Sequence, residues 1–442
     1  MSGSSSGGTP GRAMGRRALL LAGAASAAAA GAGSLASAEP AHARPGGPGA
    51  EWVGSWAGSP NAAPTAAVVH LENQTVRHVL RLSLGGSALR LRLTNEFGES
   101  AASIGEVRVA RRAGTQGTAI VPATDRRVTF GGSGSVLIPA GAPAVSDPVD
   151  LALPGGADLV VSLYLPERTA ATSLHAYALQ KNAVAAGNVT GATTVTPTAE
   201  PQAVYLVSGV SVRAGRQASA IVALGDSITD GGKSTVGADL RWPDQLAARL
   251  RSSRPAADRA VVNAGISGNR LLHDPNPPAG DPAEAYALNF GPSALRRFDR
   301  DVLAQPAAAY VITLIGVNDL GHPGTVAPLS ETVTAEQLIA GHGQLAARAH
   351  AAGLIAIGGT IMPFKDDTFG FWSQANGEKR NAVNDWIRTS GVYDAVIDFA
   401  RVTADPADPD KLAAAYSSGD GLHPNDAGHT AMAAAVPLDL FR

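Results

Sequence analysis

The chain of 442 residues contains no cysteine. That absence excludes disulfides, a thiolate nucleophile and any cysteine-ligated metal. Charge is also scarce: charged residues make up 16% of the chain and the formal net charge is -2. Such a balance gives no reason to expect nucleic acid or an anionic membrane as partner. Aromatic residues total 5%, so a stacking platform for a ligand has few rings to draw on. Outside the first residues no stretch is long and apolar enough to span a bilayer. What the chain does have is apolar bulk, at 45%, with abundant Ala and Gly. Its length favours two domains, and without disulfides their stability must come from core size.

Residues 1–43 read as an export signal peptide. Arg12, Arg16 and Arg17 precede Ala18-Leu19-Leu20-Leu21-Ala22, and Ala41-His42-Ala43 offers a small-x-small cleavage site. The expectation is a secreted protein, cleaved near Ala43, with no stable membrane span in the mature chain. The paired Arg16-Arg17 suggests twin-arginine export; a general secretory signal or an uncleaved anchor are the alternatives. Residues 44–50, rich in Gly and Pro, form a linker.

From 51 to 217 the pattern has period two. Val76 to Leu84, then Gly85-Gly86, then the strictly alternating Leu89 to Thr94 predict a β-hairpin with one wet face. Ser135 to Pro139, Asp158 to Leu165 and Ala203 to Val212 are further strands. The segment is expected to be an antiparallel β-sandwich. Trp52 and Trp56 raise a choice between sugar-stacking residues and core residues, and the core reading is the stronger.

From 218 to 442 the regime changes. Strands are expected at Ala220–Leu224, Val261–Asn263, Ala309–Ile315, Leu354–Thr360 and Ala395–Asp398. Helices are expected at about 243–252, 293–304, 335–352, 376–389 and 426–435, with Pro243 in a first turn and Asn425 as an N-cap. Alternating β and α with continuously apolar strands predicts a parallel sheet covered on both faces. Sites in such folds form beyond the carboxyl ends of the strands. Ser227, the loop Asn263 to Gly268 and the loop Gly316 to Asp319 each follow a strand, so all three should gather at one edge.

The chemistry concentrates in four blocks. Gly225-Asp226-Ser227 lets the chain turn sharply off its strand and expose a hydroxyl. Asn263-Ala264-Gly265-Ile266-Ser267-Gly268-Asn269 has small residues that let backbone N–H groups approach a developing oxyanion. Gly316-Val317-Asn318-Asp319 puts an amide donor at a strand tip. Asp420-Gly421-Leu422-His423-Pro424 spaces a carboxylate so that it can fix one imidazole nitrogen while the other faces a nucleophile. Each block alone is also compatible with an ordinary turn or cap. Asp226 and Asp319 read as residues that organise the loops. Gly231-Gly232-Lys233-Ser234 has the ending of a phosphate-binding loop, but Ser227 stands where that motif needs glycine.

Together the blocks resemble the SGNH (GDSL-type) esterase and lipase superfamily, from about Ala218 to the end. Its four namesake residues appear in order as Ser227, Gly268, Asn318 and His423. The resemblance implies a flavodoxin-like α/β/α sandwich and a serine hydrolase that needs no metal and no other cofactor. It implies an oxyanion hole built from the Ser227 and Gly268 backbone N–H groups and the Asn318 amide. Gly-Asp-Ser-Ile-Thr-Asp-Gly at 225–231 looks like a secreted bacterial subgroup that carries an N-terminal β-domain. The lack of cysteine departs from many secreted lipase-like members, which carry disulfides.

The expected function is an exported carboxylic ester hydrolase with Ser227 as nucleophile, His423 as base and Asp420 as its orienter. A small-molecule or polysaccharide ester is its partner, with short-chain or acylated-carbohydrate esters favoured. Two alternatives stay open: a non-catalytic carbohydrate-binding protein on the same scaffold, and an acyltransferase with the same triad. The sequence assigns no oligomeric state.

Overall fold

Period-two and fully apolar segments build the first part of the protein into two antiparallel sheets. The structure is a computed structural model that describes residues 52–442. The leader over 1–43, its paired arginines, the cleavage site near Ala43 and the linker 44–50 lie outside the described residues. The strands of this part include β1 (Trp52–Ala57), β2 (Gln74–Arg81), β3 (Leu89–Thr94), β4 (Glu106–Arg111), β5 (Arg126–Val128), β6 (Pro143–Val145), β7 (Asp158–Leu165), β8 (Ser173–His175), β9 (Ala183–Ala186) and β10 (Val207–Arg213), all but β8 in the two sheets. One sheet runs β1-β10-β3-β6 and the other β9-β2-β7-β4-β5. Leu89, Leu91 and Leu93 from the first sheet and Leu80, Val107 and Val161 from the second share one buried cluster, which makes the pair a sandwich. Separately, β8 pairs with short strands at Asn61–Ala62 and Val204–Tyr205.

The hairpin expected between Val76–Leu84 and Leu89–Thr94 does not form. β2 pairs with β7 and β9, whereas β3 pairs with β10 and β6. Gly85-Gly86 carries the chain from one sheet to the other rather than closing a ribbon. The crossing is tight: a Cβ on Gly85 would lie 2.5 Å from the Leu153 carbonyl oxygen, and one on Gly86 2.6 Å from that of Arg213. β3 does show the alternation read from its sequence, but β2 has no wet face. Thr75 to Leu80 are all buried. Arg77 donates to the Val189 and Thr190 carbonyls, at 3.0 and 3.1 Å, and His78 meets the Tyr205 carbonyl at 3.1 Å. Buried polar side chains on β2 thus find backbone carbonyl partners, while Arg77 Nε and His78 Nδ1 have none among the described residues.

The tryptophans belong to the framework. Trp56 is buried. Trp52 is flanked by the Arg90 and Arg213 guanidinium groups, 4.3 and 5.2 Å from its ring centroid.

The second part is built on β11 (Ser219–Gly225), β12 (Arg259–Gly265), β13 (Ala308–Leu314), β14 (Ile355–Gly359) and β15 (Ala395–Ile397). All neighbours are parallel, in the order β12-β11-β13-β14-β15, which is 2-1-3-4-5 by appearance. That order is the flavodoxin-like one, with its switch point between the first and third strands. Ala220 to Gly225 are all buried, as a central parallel strand requires.

The helices are α1 (Ser227–Asp230), α2 (Trp242–Arg251), α3 (Ala294–Phe298), α4 (Val317–Gly321), α5 (Ala335–Ala351), α6 (Gln374–Thr389), α7 (Phe399–Thr403) and α8 (Asp426–Ala435). Local chemistry sets their starts. Thr334 and Gln337 close a capping box on α5, and Asn425 caps α8 by accepting the Gly428 amide at 2.9 Å. The single helix expected over 293–304 is instead α3 followed by a π turn at Asp299–Leu303.

The sandwich and the parallel sheet are joined by polar and apolar contacts. The Gly54 amide donates to the Pro306 carbonyl at 2.9 Å, and the Val261 amide to Ser83 Oγ at 3.1 Å. Ala218, Ala220 and Ala260 are buried within the sandwich's own cluster. Among the described residues no helix is long and apolar enough to cross a membrane.

Candidate active site

The end of β11 sets the first functional side chain. At Gly225 a Cβ would stand 2.3 Å from Thr229 Oγ1 and 2.5 Å from the Leu314 carbonyl oxygen, so only glycine permits the turn. Asp226 then caps α1 by accepting the Ile228 amide at 3.0 Å. Ser227 follows as the first helical residue and is buried, 5% exposed.

The far end of the chain meets it. His423 Nε2 lies 2.9 Å from Ser227 Oγ, and His423 Nδ1 lies 2.8 Å from Asp420 Oδ2. The other Asp420 oxygen accepts the backbone amides of Leu422 and His423, at 3.0 and 2.8 Å. Burial alone would raise the Asp420 carboxyl. The bonds from the His423 ring, the His423 amide and the Leu422 amide outweigh it and hold the group well below the usual carboxylate range. Asp420 is therefore ionised across neutral pH and can fix the imidazole's orientation. Phe369 stands edge-on to the His423 ring, with centroids 5.7 Å apart.

The loop after β12 runs alongside. Gly268 has φ +77°, the left-handed region, and Phe290 packs directly on it. Among the described residues neither the Ser227 nor the Gly268 backbone N–H has an acceptor. The residues around Gly268 are firmly held. Asp230 Oδ2 accepts both the amide and the hydroxyl of Ser267, at 3.0 and 2.7 Å. Buried Asn269 donates to the Phe290 and Pro292 carbonyls at 2.7 and 2.8 Å and accepts Arg297 Nε at 3.0 Å. Asn318 Nδ2 donates to the Asn269 carbonyl at 2.9 Å, which uses one of its two amide hydrogens and orients the other.

Asp226 and Asp319 serve the backbone. Asp319 accepts the Leu271 and Leu272 amides at 2.6 and 2.9 Å, tying the Gly268 loop to α4. Burial pushes the Asp226 carboxyl up to about 7, with repulsion from Asp319 adding to the push. Burial likewise raises Asp319, to about 6, despite its two amide bonds.

Several residues of this site carried no sequence signal. Arg297, buried on α3, donates to the Gly225 and Ala264 carbonyls at 2.8 and 2.7 Å, satisfying the ends of β11 and β12. Phe290 and Phe369, which line the site, have no periodicity to mark them. His175 reaches Asp230 from the sandwich, at 3.0 Å.

A parallel α/β sheet of this order, with hydroxyl, imidazole and carboxylate in line beyond its carboxyl edge, is an architecture for serine-type hydrolysis. Residues 223–431 match the GDSL-like Lipase/Acylhydrolase family model, so the chain carries a hydrolase domain of that family. No curated protein matches the chain. Solved structures that it resembles include a GDSL-like lipase from Bacteroides thetaiotaomicron VPI-5482, at 17% identity, 50% coverage of this chain and 87% of that one, with TM-score 0.35. An acetylxylan esterase from Geobacillus stearothermophilus aligns at 20% identity over 49% of this chain and 91% of its own, with TM-score 0.36. A carbohydrate acetylesterase from Sinorhizobium meliloti aligns at 15% identity over 49% and 95%, with TM-score 0.36.

Proposed function

We propose that the protein is an exported serine esterase that hydrolyses short-chain carboxylic esters, free or carried on a carbohydrate. The observation that carries the reading is the unbroken relay from Ser227 Oγ through His423 to Asp420, at 2.9 and 2.8 Å. Ser227 Oγ attacks the ester carbonyl carbon while its proton passes to His423 Nε2. The carbonyl electron pair moves to oxygen, where the Ser227 and Gly268 N–H groups and the Asn318 amide receive it. The bond to the alcohol oxygen then breaks and His423 returns the proton to the departing alcohol. Water repeats the sequence on the acyl-enzyme and frees Ser227. Asp420 stabilises the imidazolium in both halves. Phe290 against Gly268 and Phe369 against His423 favour a compact acyl group. The Arg16-Arg17 leader supports action outside the cell.

The test is a panel of nitrophenyl esters of increasing chain length beside acetylated polysaccharides, run on the parent and on Ser227→Ala. Turnover is expected to be highest on the shortest acyl groups and nearly absent in S227A. A fluorophosphonate should attach to Ser227. S227A with parental turnover, or a label on another residue, refutes the assignment.

A further inference from the structure

The sandwich reaches the catalytic loops at a buried point. His175 ends β8, and its Nε2 lies 3.0 Å from Asp230 Oδ1. Its Nδ1 lies 3.2 Å from the Ser59 carbonyl oxygen. Both side chains of the pair are almost fully buried, at 6% and 2% exposure. The Ser59 carbonyl is in hydrogen-bond geometry with the ring, whereas Asp230 Oδ1 is within ion-pair distance and has no hydrogen-bond partner of its own among the described residues. Asp230 stands three residues after Ser227, at the end of α1. Its second oxygen holds the amide and hydroxyl of Ser267, the residue before Gly268. A second contact flanks the same turn: Asn61 Nδ2, also from the sandwich, donates to Asn289 Oδ1 at 3.3 Å. Asn289 immediately precedes Phe290, the ring that covers Gly268.

We propose that His175 is a positioning residue, through which the β-sandwich fixes the Gly268 turn by way of Asp230 and Ser267. The sandwich then completes the oxyanion site rather than acting as a separate binding module. The physical reason is directional. The Gly268 N–H must point at an oxygen that becomes charged only in the transition state, and such donors act only when held in place beforehand. Among the described residues Asp230 is the one α1 side chain that Ser267 bonds, and His175 Nε2 is the imidazole nitrogen within ion-pair distance of its other oxygen. Loss of the contact lets the carboxylate turn, and Ser267 and Gly268 turn with it. The expected signature is a fall in kcat with KM little changed, because the ground-state ester does not depend on that donor.

This inference rests on the esterase reading above, and the experiment separates the two. His175→Asn places its amide near the Nδ1 position, keeping the Ser59 contact and dropping Asp230. His175→Gln places its amide near the Nε2 position, keeping Asp230 and dropping Ser59. The proposal predicts that H175N loses about 10- to 100-fold in kcat, while H175Q stays within about threefold of the parent. A role confined to anchoring the sandwich at Ser59 predicts the reverse order. An arylboronate, whose tetrahedral adduct uses the oxyanion donors, should lose affinity in H175N in step with kcat. Folding is checked by thermal melting. Should H175N not fold, Asp230→Asn perturbs the same contact from the α1 side and is expected to lower kcat about tenfold. Folded H175N with parental kcat, equal losses in H175N and H175Q, or unchanged kcat in D230N overturns the proposal. In each of those results the parent still hydrolyses esters through Ser227, so the functional reading survives; an inactive parent removes both.

Discussion

Gly268 offers the sharpest test of the proposed oxyanion site. Gly268→Ala adds one methyl group, and the structure says where it goes. The residue sits at φ +77°, where a non-glycine residue costs about 1–2 kcal/mol. The new Cβ would stand 2.1 Å from Phe290 Cδ1 and 2.5 Å from Cε1, well inside contact distance. Phe290 cannot swing freely, because Tyr286 and His322 pack against it with centroids 5.7 and 5.2 Å away. Its neighbours Ser267 and Asn269 are pinned by Asp230 and Arg297. The turn must therefore deform at Gly268 itself and carry its N–H off line. Loss of one oxyanion donor costs about 10²–10³ in kcat, so a fall of about 10²-fold or more is expected, with KM nearly constant. Initial rates on nitrophenyl acetate measure both constants, and a thermal melt confirms folding. The double variant G268A/F290A removes the clash but not the backbone strain, so it should recover part of the lost rate. G268A that folds and keeps kcat within about threefold of the parent refutes the reasoning, because it shows that neither the strain nor the clash reaches the donor.

Two further outcomes follow from the electrostatics. Asp420→Asn keeps an oxygen for the Leu422 and His423 amides but turns an NH₂ group towards Nδ1, which favours the wrong imidazole tautomer; kcat should fall on the order of 10³- to 10⁴-fold, and parental kcat would contradict the triad. Asp226 gives a pH test. Its carboxyl titrates near 7 when folded, against an ordinary 3.8, so the folded state binds the extra proton between those values. Its contribution to stability is complete below about pH 4 and is lost as pH rises through 7. Asp226→Asn removes that loss, so the variant should match the parent near pH 4 and exceed it at pH 8, by on the order of 4 kcal/mol at most. The buried histidines 78, 342 and 429, lowered by burial to about 4, slope the opposite way in both proteins and cancel in the difference. Urea midpoints at the two pH values measure it, and parallel curves would contradict the assignment.

The parallel sheet was readable because its strands and helices carry their own periodicities. Ala220–Leu224 is apolar throughout, and it is a central strand paired on both edges. The caps were readable for the same reason, since Asn425 needs only Gly428, three residues away. Ser227 and His423 lie 196 residues apart, yet each sits in a block with a local signature, so their meeting could be anticipated from the strand order. The hairpin failed because Leu89–Thr94 alternates whichever partner it takes. Alternation reports a wet and a dry face, and does not say which strand lies alongside.

The residues that escaped the sequence are those whose role is made by a distant partner alone. Arg297 follows another arginine on an amphipathic helix, and nothing in Arg296-Arg297-Phe298 distinguishes the exposed guanidinium from the buried one. Burial becomes affordable only because Gly225 and Ala264, on two different strands, present carbonyls and Asp301 presents a carboxylate at 2.9 Å. His175 is the same case across the two halves of the molecule: one of ten histidines, with no motif around it, it gains meaning only when β8 is laid against α1. A sequence records a residue's chemistry and its near neighbours. The hydroxyl and imidazole of the proposed relay announce themselves by both, whereas the charged groups packed around the Gly268 turn depend on which buried surfaces the two halves press together, and that is settled by packing.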